Sequence, residues 1–242
     1  MQIKTYKTHP ITTKDSLFQL IDAYVPKLEE RSILIVTSKI VSLCEGRVVG
    51  KETVESKQAL IQEEADATLE GLTLKNNLFI PFAGIDESNG NGVYILHPKN
   101  VQQSASSIWE YVRKRDNIQE LGVLITDSHV IPLRRGVTGI GLGWCGFKPL
   151  YSYIRKADCF GIPLNITMVN NLDALAAGAV FCMGEGNEQT PFALVLHAPK
   201  IEFQSVPPTE AEIRGVSIPM EEDLYAPVLK NPRWKFKNEG VL

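Results

Sequence analysis

Apolar and polar positions change rhythm along the chain, and each change marks out an element. Residues Ser32–Thr37 (SILIVT) form an unbroken apolar run of strand length, and Val48-Val49 follow after a Glu45-Gly46-Arg47 turn. Residues 54–69 are polar with spaced apolar positions, which predicts an exposed helix. Short strands are expected at 78–82 and 93–96, separated by a loop rich in Asp, Ser, Asn and Gly. Ala105, Ile108, Trp109 and Val112 then recur at the i, i+3, i+4, i+7 spacing of one helix face, with Ser104 as the expected cap. Residues 121–126 (LGVLIT) make the strongest strand, expected to end at Asp127-Ser128. A strand at 166–169 precedes a small-residue helix with Leu172, Leu175, Ala176, Ala179 and Met183 on one face. Asn170 or Asn171 caps that helix, and it runs directly into Gly184-Glu185-Gly186-Asn187. Phe192–Leu196 reads as the last strand.

Between the last two strong strands, five glycines fall within residues 136–146, a density that permits close backbone packing or a strained loop. Beyond Gln204 the chain turns polar and proline-rich. That change divides it into a main unit, 1–204, and an extension, 205–242, expected to pack on the body or on a partner. Helices and strands alternate irregularly, so the expected class is α/β (α+β), with mixed sheets and flanking helices. At 242 residues the chain suits one large domain or two interwoven lobes.

Composition narrows the function classes. With 44% hydrophobic and 22% charged residues the chain can bury an ordinary core. A formal charge of −3 supplies no basic field for a nucleic-acid backbone. No stretch approaches the roughly 18 consecutive apolar residues of a membrane span. The first 14 residues lack the apolar core of a signal peptide, so the cytoplasm is the expected compartment. Cys44, Cys145, Cys159 and Cys182 are scattered without a C-x-x-C pair, and read as reduced packing residues.

Three carboxylates share one kind of setting. Asp86 follows a strand in Ala83-Gly84-Ile85-Asp86-Glu87-Ser88-Asn89, Asp127 stands beside Ser128, and Glu185 lies between two glycines at a helix end. Such hard oxygen donors suit Mg²⁺ or Mn²⁺, which in turn hold nucleotide phosphates. Each residue alone is ordinarily a turn or cap residue, and spacing cannot show that they converge. No G-x-x-x-x-G-K-[ST] is present, and Gly141 to Gly146 match the bare G-x-G-x-x-G letters without the strand-to-helix context. Asp127-Ser128-His129 holds triad residue types, but neighbours on a strand point to opposite faces.

Taken together, four blocks resemble the coenzyme F420-0:L-glutamate ligase family. They are Val36-Thr37-Ser38-Lys39-Ile40-Val41-Ser42 with Glu45-Gly46-Arg47, then Ala83-Gly84-Ile85-Asp86 with Ser88-Asn89. The third is Gly122-Val123-Leu124-Ile125-Thr126-Asp127-Ser128 with Arg135-Gly136, and the fourth runs from Asp173 through Met183-Gly184-Glu185-Gly186 to Pro191. The resemblance implies a homodimeric, GTP-dependent ligase with two divalent metals and, in some members, a monovalent cation such as K⁺. By the same resemblance Asp86 and Asp127 would hold one metal, and Ser128 and Glu185 the other. Nucleotide contacts would come from Ser38, Lys39 and Asn89, and from Met183, Gly184, Glu185, Gly186, Asn187, Glu188, Gln189 and Thr190. Pro10, Ile11 and Thr12 match an N-terminal nucleotide contact more loosely. Arg134 and Arg135 are candidates to stabilise the transferred phosphoryl group or to bind a substrate carboxylate.

Implied chemistry is amide formation between an acceptor carboxylate, F420-0 or a folate, and the amine of L-glutamate through an acyl phosphate. The chain departs from the family at three places: Leu43 replaces a usual lysine, His129-Val130-Ile131-Pro132 replaces a Gly-Arg segment, and Asp173-Ala174 replaces an Asp-Glu pair. Those changes suggest a kept phosphate-activation centre with an altered acceptor pocket, and tilt the acceptor toward folate. The competing readings are a nucleotide- or metal-binding regulatory protein that has lost catalysis, and a purely structural domain.

Overall fold

The computed structural model describes residues 1–69, 71–230 and 235–237. In chain order the strands are β1 (Gln2–Tyr6), β2 (Ser32–Thr37), β3 (Val48–Gly50), β4 (Ala67–Leu69), β5 (Leu72–Lys75), β6 (Leu78–Pro81) and β7 (Val93–Ile95). They continue with β8 (Leu121–Val130), β9 (Val137–Cys145), β10 (Leu150–Ser152), β11 (Met168–Asn170), β12 (Phe192–Leu196) and β13 (Lys235–Phe236). The α-helices are α1 (Leu17–Tyr24), α2 (Ser38–Cys44), α3 (Lys57–Glu64), α4 (Val101–Asp116), α5 (Asn171–Met183), α6 (Glu210–Val216) and α7 (Ala226–Leu229).

A mixed five-stranded sheet ordered β1-β12-β2-β8-β9 forms the centre, and only β2 and β8 run parallel within it. The class is therefore the expected mixture of helices and mixed sheets. Alternate residues of β2 feed two cores. Leu34 and Val36 pack with Leu20, Ile21, Ile108, Trp109 and Val112 from α1 and α4. Ile33 and Ile35 pack with Leu172, Leu175, Ala176, Ala179 and Met183 from α5. A strand covered on both faces is apolar on both, which is why Ile33 to Val36 show no alternation. Each such side chain contributes about 1.5–3 kcal/mol by leaving water.

Between β2 and β8 the chain makes a long excursion into a smaller lobe. There Leu60, Ile61, Ala65, Ala83, Ile85 and Leu96 form a separate core beneath the sheet β13-β4-β5-β6 and the β3–β7 pair. The predicted helix over 54–69 is cut short here. Ser56 caps α3 by accepting a bond from the Ala59 N–H, and Ala65 is already extended (ψ 149°). The Asp66 N–H then bonds the Leu74 carbonyl, so pairing with β5 takes residues 67–69 away from the helix.

Other boundaries move for similar reasons. Asn100, not Ser104, caps α4, its side chain accepting from the Gln103 N–H, while the Ser104 hydroxyl donates to Glu45 Oε1 at 2.6 Å. Asn170 is the cap of α5. Strand β8 does not stop at Asp127 but runs to Val130, because β9 pairs with it from Val123 to Val130. Phe192–Leu196 is not the last strand, since β13 pairs with β4. In the region after Gln204, Ile213 and Val216 of α6 pack on the α5-side core, and a Thr209–Glu212 capping box starts that helix. All four cysteines are free.

The glycine-rich stretch is β9 itself. Gly139 lies so close beneath α5 that a Cβ there would meet the Ala176 carbonyl oxygen at 2.3 Å. Thr126 pairs with Gly141 and Ile125 with Gly143, so Leu142 is an inserted residue and the strand changes face at this bulge. Gly143 consequently lies under the other layer, where a Cβ would meet the Val101 carbonyl oxygen at 2.9 Å. Two helices thus approach one strand from opposite sides, and only glycine leaves them room. Among the described residues no helix is long and apolar enough to cross a membrane.

Candidate functional site

One cavity of about 490 Å³ opens where the main sheet meets the smaller lobe. Four segments build it. β2 ends at Thr37 and passes directly into α2, which presents Lys39, Ile40 and Leu43. Asp86, Asn89 and Asn91 come from the loop before β7, and Thr126, Asp127 and Ser128 from β8. The loop after α5 supplies Gly184 through Pro191, and residues 8–11 close the rim.

Backbone geometry at Asp86 is unusual. Phe82, Ala83 and Gly84 all have positive φ (53°, 55° and 69°), a turn that L residues adopt only when held in place. The buried Thr73 hydroxyl supplies one hold by accepting from the Ala83 N–H at 2.8 Å. Asp86 then makes a two-way backbone bridge with Ile95. Its carboxylate bonds the Ser88 N–H at 2.6 Å and pairs with the Lys39 ammonium at 2.7 Å. Burial works to raise its pKa, but Lys39 and Ser88 outweigh it and hold the group below its ordinary value.

Opposite stand Asp127 and Glu185. Asp127 Oδ2 lies 2.7 Å from Nε2 of His97, and its Oδ1 accepts from the Ser128 N–H at 2.9 Å. The Glu185 carboxyl is pushed up, first by burial and then by the charges of Asp127 and Asp86, against a hydrogen bond from Ser128 and the charge of Lys39. The three carboxylates that the sequence singled out therefore do meet across one cavity. Following Glu185, the loop folds on itself: Gly186 N–H bonds Glu188 Oε2 at 2.8 Å, and the Thr190 hydroxyl bonds the Met183 carbonyl at 2.5 Å. Asn89 Nδ2 reaches the Gly186 carbonyl at 3.5 Å.

Charge is the dominant property of this cavity. Among the described residues, Asp86, Asp127, Glu185 and Glu188 line it against the one lysine or arginine, Lys39. A polyphosphate would be repelled from such a surface unless cations stood between. The oxygens of Asp86, Asp127, Ser128 and Glu185 have the hard-donor chemistry for a divalent metal, and a cation would favour the charged form of Glu185, whose carboxyl is raised by burial first and by Asp127 and Asp86 after it. Among the described residues, however, no group of three or more His, Cys, Asp or Glu side chains stands arranged to hold an ion. Instead Lys39 holds Asp86 and His97 holds Asp127.

The other sequence candidates divide clearly. Pro10, Ile11, Lys39, Asn89, Met183, Gly184, Gly186, Asn187, Glu188, Gln189 and Thr190 all line the cavity. Thr12 does not, its hydroxyl bonding Asp15 at 3.0 Å. Ser38 is buried behind Thr37 and Lys39. Arg134 and Arg135 stand on the exposed turn between β8 and β9, away from the lining. Of the departures, Leu43 faces the cavity, while Val130, Ile131 and Ala174 are exposed and outside it. His97, Thr8, His9 and Thr126 escaped the sequence reading. Thr126 lines the cavity, and its buried Oγ1 has no hydrogen-bond partner among the described residues. A hydroxyl inside the strongest apolar strand was the available signal.

Comparison with known proteins places these features in company. Residues 5–196 match the model of the F420-0:Gamma-glutamyl ligase family. The chain is 30% identical over 233 residues to the coenzyme F420:L-glutamate ligase of Methanocaldococcus jannaschii, covering 87% of this chain and 90% of that protein. The enzyme of the same name from Archaeoglobus fulgidus is 30% identical over 205 residues, 75% of this chain and 81% of its own. That of Methanosarcina mazei is 31% identical over 196 residues, 69% and 74%.

Proposed function

Because the chain belongs to the F420-0:gamma-glutamyl ligase family, we propose that it is a ligase joining L-glutamate to an acceptor carboxylate at the expense of GTP. The observation that carries this reading is the convergence of Asp86, Asp127 and Glu185, with Lys39, on one cavity. Asp86 and Asp127, and Ser128 with Glu185, would hold divalent cations, Mg²⁺ or Mn²⁺, alongside a monovalent ion such as K⁺. Bound there, the cations supply neutralisation of phosphate charge.

The chain's own groups do the rest. Lys39 brings an ammonium to the place where a triphosphate would lie, and stabilises charge on the transferred phosphoryl group. Asn89 and the loop from Met183 to Thr190 offer amide donors to the nucleotide. An acceptor carboxylate oxygen attacks the γ-phosphorus, the bond to the GDP oxygen breaks, and an acyl phosphate forms. The amine of L-glutamate then attacks the acyl carbon, inorganic phosphate leaves, and the amine proton is lost to solvent. Leu43 puts an apolar wall where the family pattern carries a lysine, which supports an altered acceptor, with folate beside F420-0 as the candidate. The ligase is proposed to act as a cytoplasmic homodimer, with the region after Gln204 as an extension of the main unit.

A mass-spectrometric assay tests this. Purified protein is incubated with L-glutamate, GTP or ATP, and Mn²⁺, with F420-0 in one tube and tetrahydrofolate in another. A gain of one glutamyl unit, with phosphate release requiring both substrates, is expected. No gain with either acceptor, from protein that binds the nucleotide, would leave the regulatory reading standing instead.

A further inference from the structure

The short segment from Ile95 to His97 lies behind the cavity and bonds two of its carboxylate residues, Asp86 and Asp127. Asp86 N–H bonds the Ile95 carbonyl at 2.9 Å and Ile95 N–H returns a bond to the Asp86 carbonyl at 2.8 Å, so the backbone of one carboxylate is fixed here. Two residues on, His97 Nε2 lies 2.7 Å from Asp127 Oδ2. An ionised carboxylate only accepts, so Nε2 carries the proton and donates it. Because Oδ1 is held by the Ser128 N–H, both oxygens of Asp127 are oriented, and each keeps a lone pair.

His97 has no freedom to adopt another pose. Its side chain is only 7% exposed, and a Cβ on Gly84 would stand 2.2 Å from Nε2. The His97 carbonyl accepts from Arg47 Nε at 3.1 Å, and the far end of that guanidinium pairs with Glu64 at 2.9 Å. Leu96 N–H bonds the Arg47 carbonyl at 3.0 Å. Buried Lys75 completes the anchor by bonding Glu64 at 2.6 Å. None of these residues lines the cavity. A chain of bonds therefore runs from the core of the smaller lobe, through Arg47, to the backbone of His97, whose imidazole faces Asp127.

We propose that His97 is a positioning residue that orients the Asp127 carboxylate for a divalent cation, tying it to the same segment that fixes Asp86. This rests on the reading of Asp127 as a metal ligand. Partners behind a ligating group commonly matter nearly as much as the ligand, because they fix the direction of its lone pairs.

The test is Mn²⁺ binding to the full chain, without nucleotide, followed by the electron paramagnetic resonance signal of the free ion. Wild-type protein should bind and Asp127→Asn should lose most binding. His97→Phe keeps a ring but donates nothing, and should weaken affinity about 10- to 100-fold. His97→Gln, whose amide N–H can reach the same oxygen, should restore most of it. If His97→Phe bound Mn²⁺ like the wild type while Asp127→Asn did not, positioning would be overturned and the metal reading kept. Equal weakness of His97→Gln and His97→Phe would also overturn it, since the donated proton would then not matter. Equal binding by wild type and Asp127→Asn defeats the metal reading, and the positioning role falls with it. Should the phenylalanine variant not fold, His97→Met takes its place as the variant without a donor.

Discussion

The Lys39 ammonium lies 2.7 Å from Asp86 Oδ2 and also bonds the Ser88 carbonyl and hydroxyl, at 3.2 and 3.0 Å. It thereby ties the first turn of α2 to the loop of the smaller lobe. As the one lysine lining an acidic cavity among the described residues, it serves charge more than stability, because a half-exposed pair contributes little to folding. Lys39→Met is expected to slow nucleotide-dependent phosphate release by about 100-fold or more. Its unfolding midpoint should shift by no more than about 3 °C. Normal turnover in this variant would remove Lys39 from the phosphate site.

Thr126 offers a cleaner separation of folding from binding. Its buried hydroxyl has no partner among the described residues, so Thr126→Val removes an uncompensated desolvation cost and should leave stability equal or higher. If the hydroxyl bonds a ligand in the cavity, the same change should weaken nucleotide or acceptor binding by roughly 1 kcal/mol, about fivefold. Calorimetric titration with GTP and Mn²⁺, and then with acceptor, measures both. Unchanged affinity for every ligand would reduce Thr126 to a packing residue.

Acid should loosen α6 before the rest. The Glu212 carboxyl is held down to about 2 by the Lys148 ammonium first, then by the Thr209 N–H and the Gln204 side chain. Its folded pKa is below its unfolded value near 4.5, so its contribution is complete above that pH and fades as pH falls toward 2. Limited proteolysis between pH 7 and pH 2.5, with an acid-tolerant protease, should show earlier cleavage near α6 as pH drops. Glu212→Gln should cleave at pH 7 as readily as the wild type does at low pH. A wild-type pattern in that variant would show that the Lys148 contact does not anchor the helix.

Glycine substitutions test the packing of β9. Gly139→Ala pushes a methyl into the α5 backbone and should cost about 1–3 kcal/mol. Gly215→Ala, inside α6 with nothing within 4 Å, should instead stabilise by about 0.5–1 kcal/mol. Urea unfolding of both variants reads the difference, and a neutral Gly139→Ala would mean that α5 can withdraw.

How far the sequence disclosed this molecule depended on whether neighbours or tertiary contacts decided each element. β2, β12 and the buried faces of α4 and α5 were legible because burial on a fixed side writes a local pattern. β9 was not, because its glycines answer to two helices distant in sequence. Strand β1 (QIKTY) is a half-exposed edge with little apolar signal, and α2 follows β2 without a break. In the site, the acidic residues were visible by type and setting. Arg134 and Arg135 attracted notice by adjacency to Asp127, but β8 continues past it and carries them away on the hairpin tip. His97 left no local trace, since its role depends on Gly84 and Asp127 closing around it.

The sheet order has a consequence for biosynthesis. β12 lies between β1 and β2, pairing Gln2 with Leu196 and Val36 with Phe192. While a ribosome is still making the chain, β1 and β2 each present an unpaired edge until residue 196 has emerged. The loop from Gly184 to Pro191 is translated just before that wedge arrives. The cavity and the central sheet are therefore completed together once β12 has emerged, and a nascent chain truncated short of β12 would be prone to aggregate.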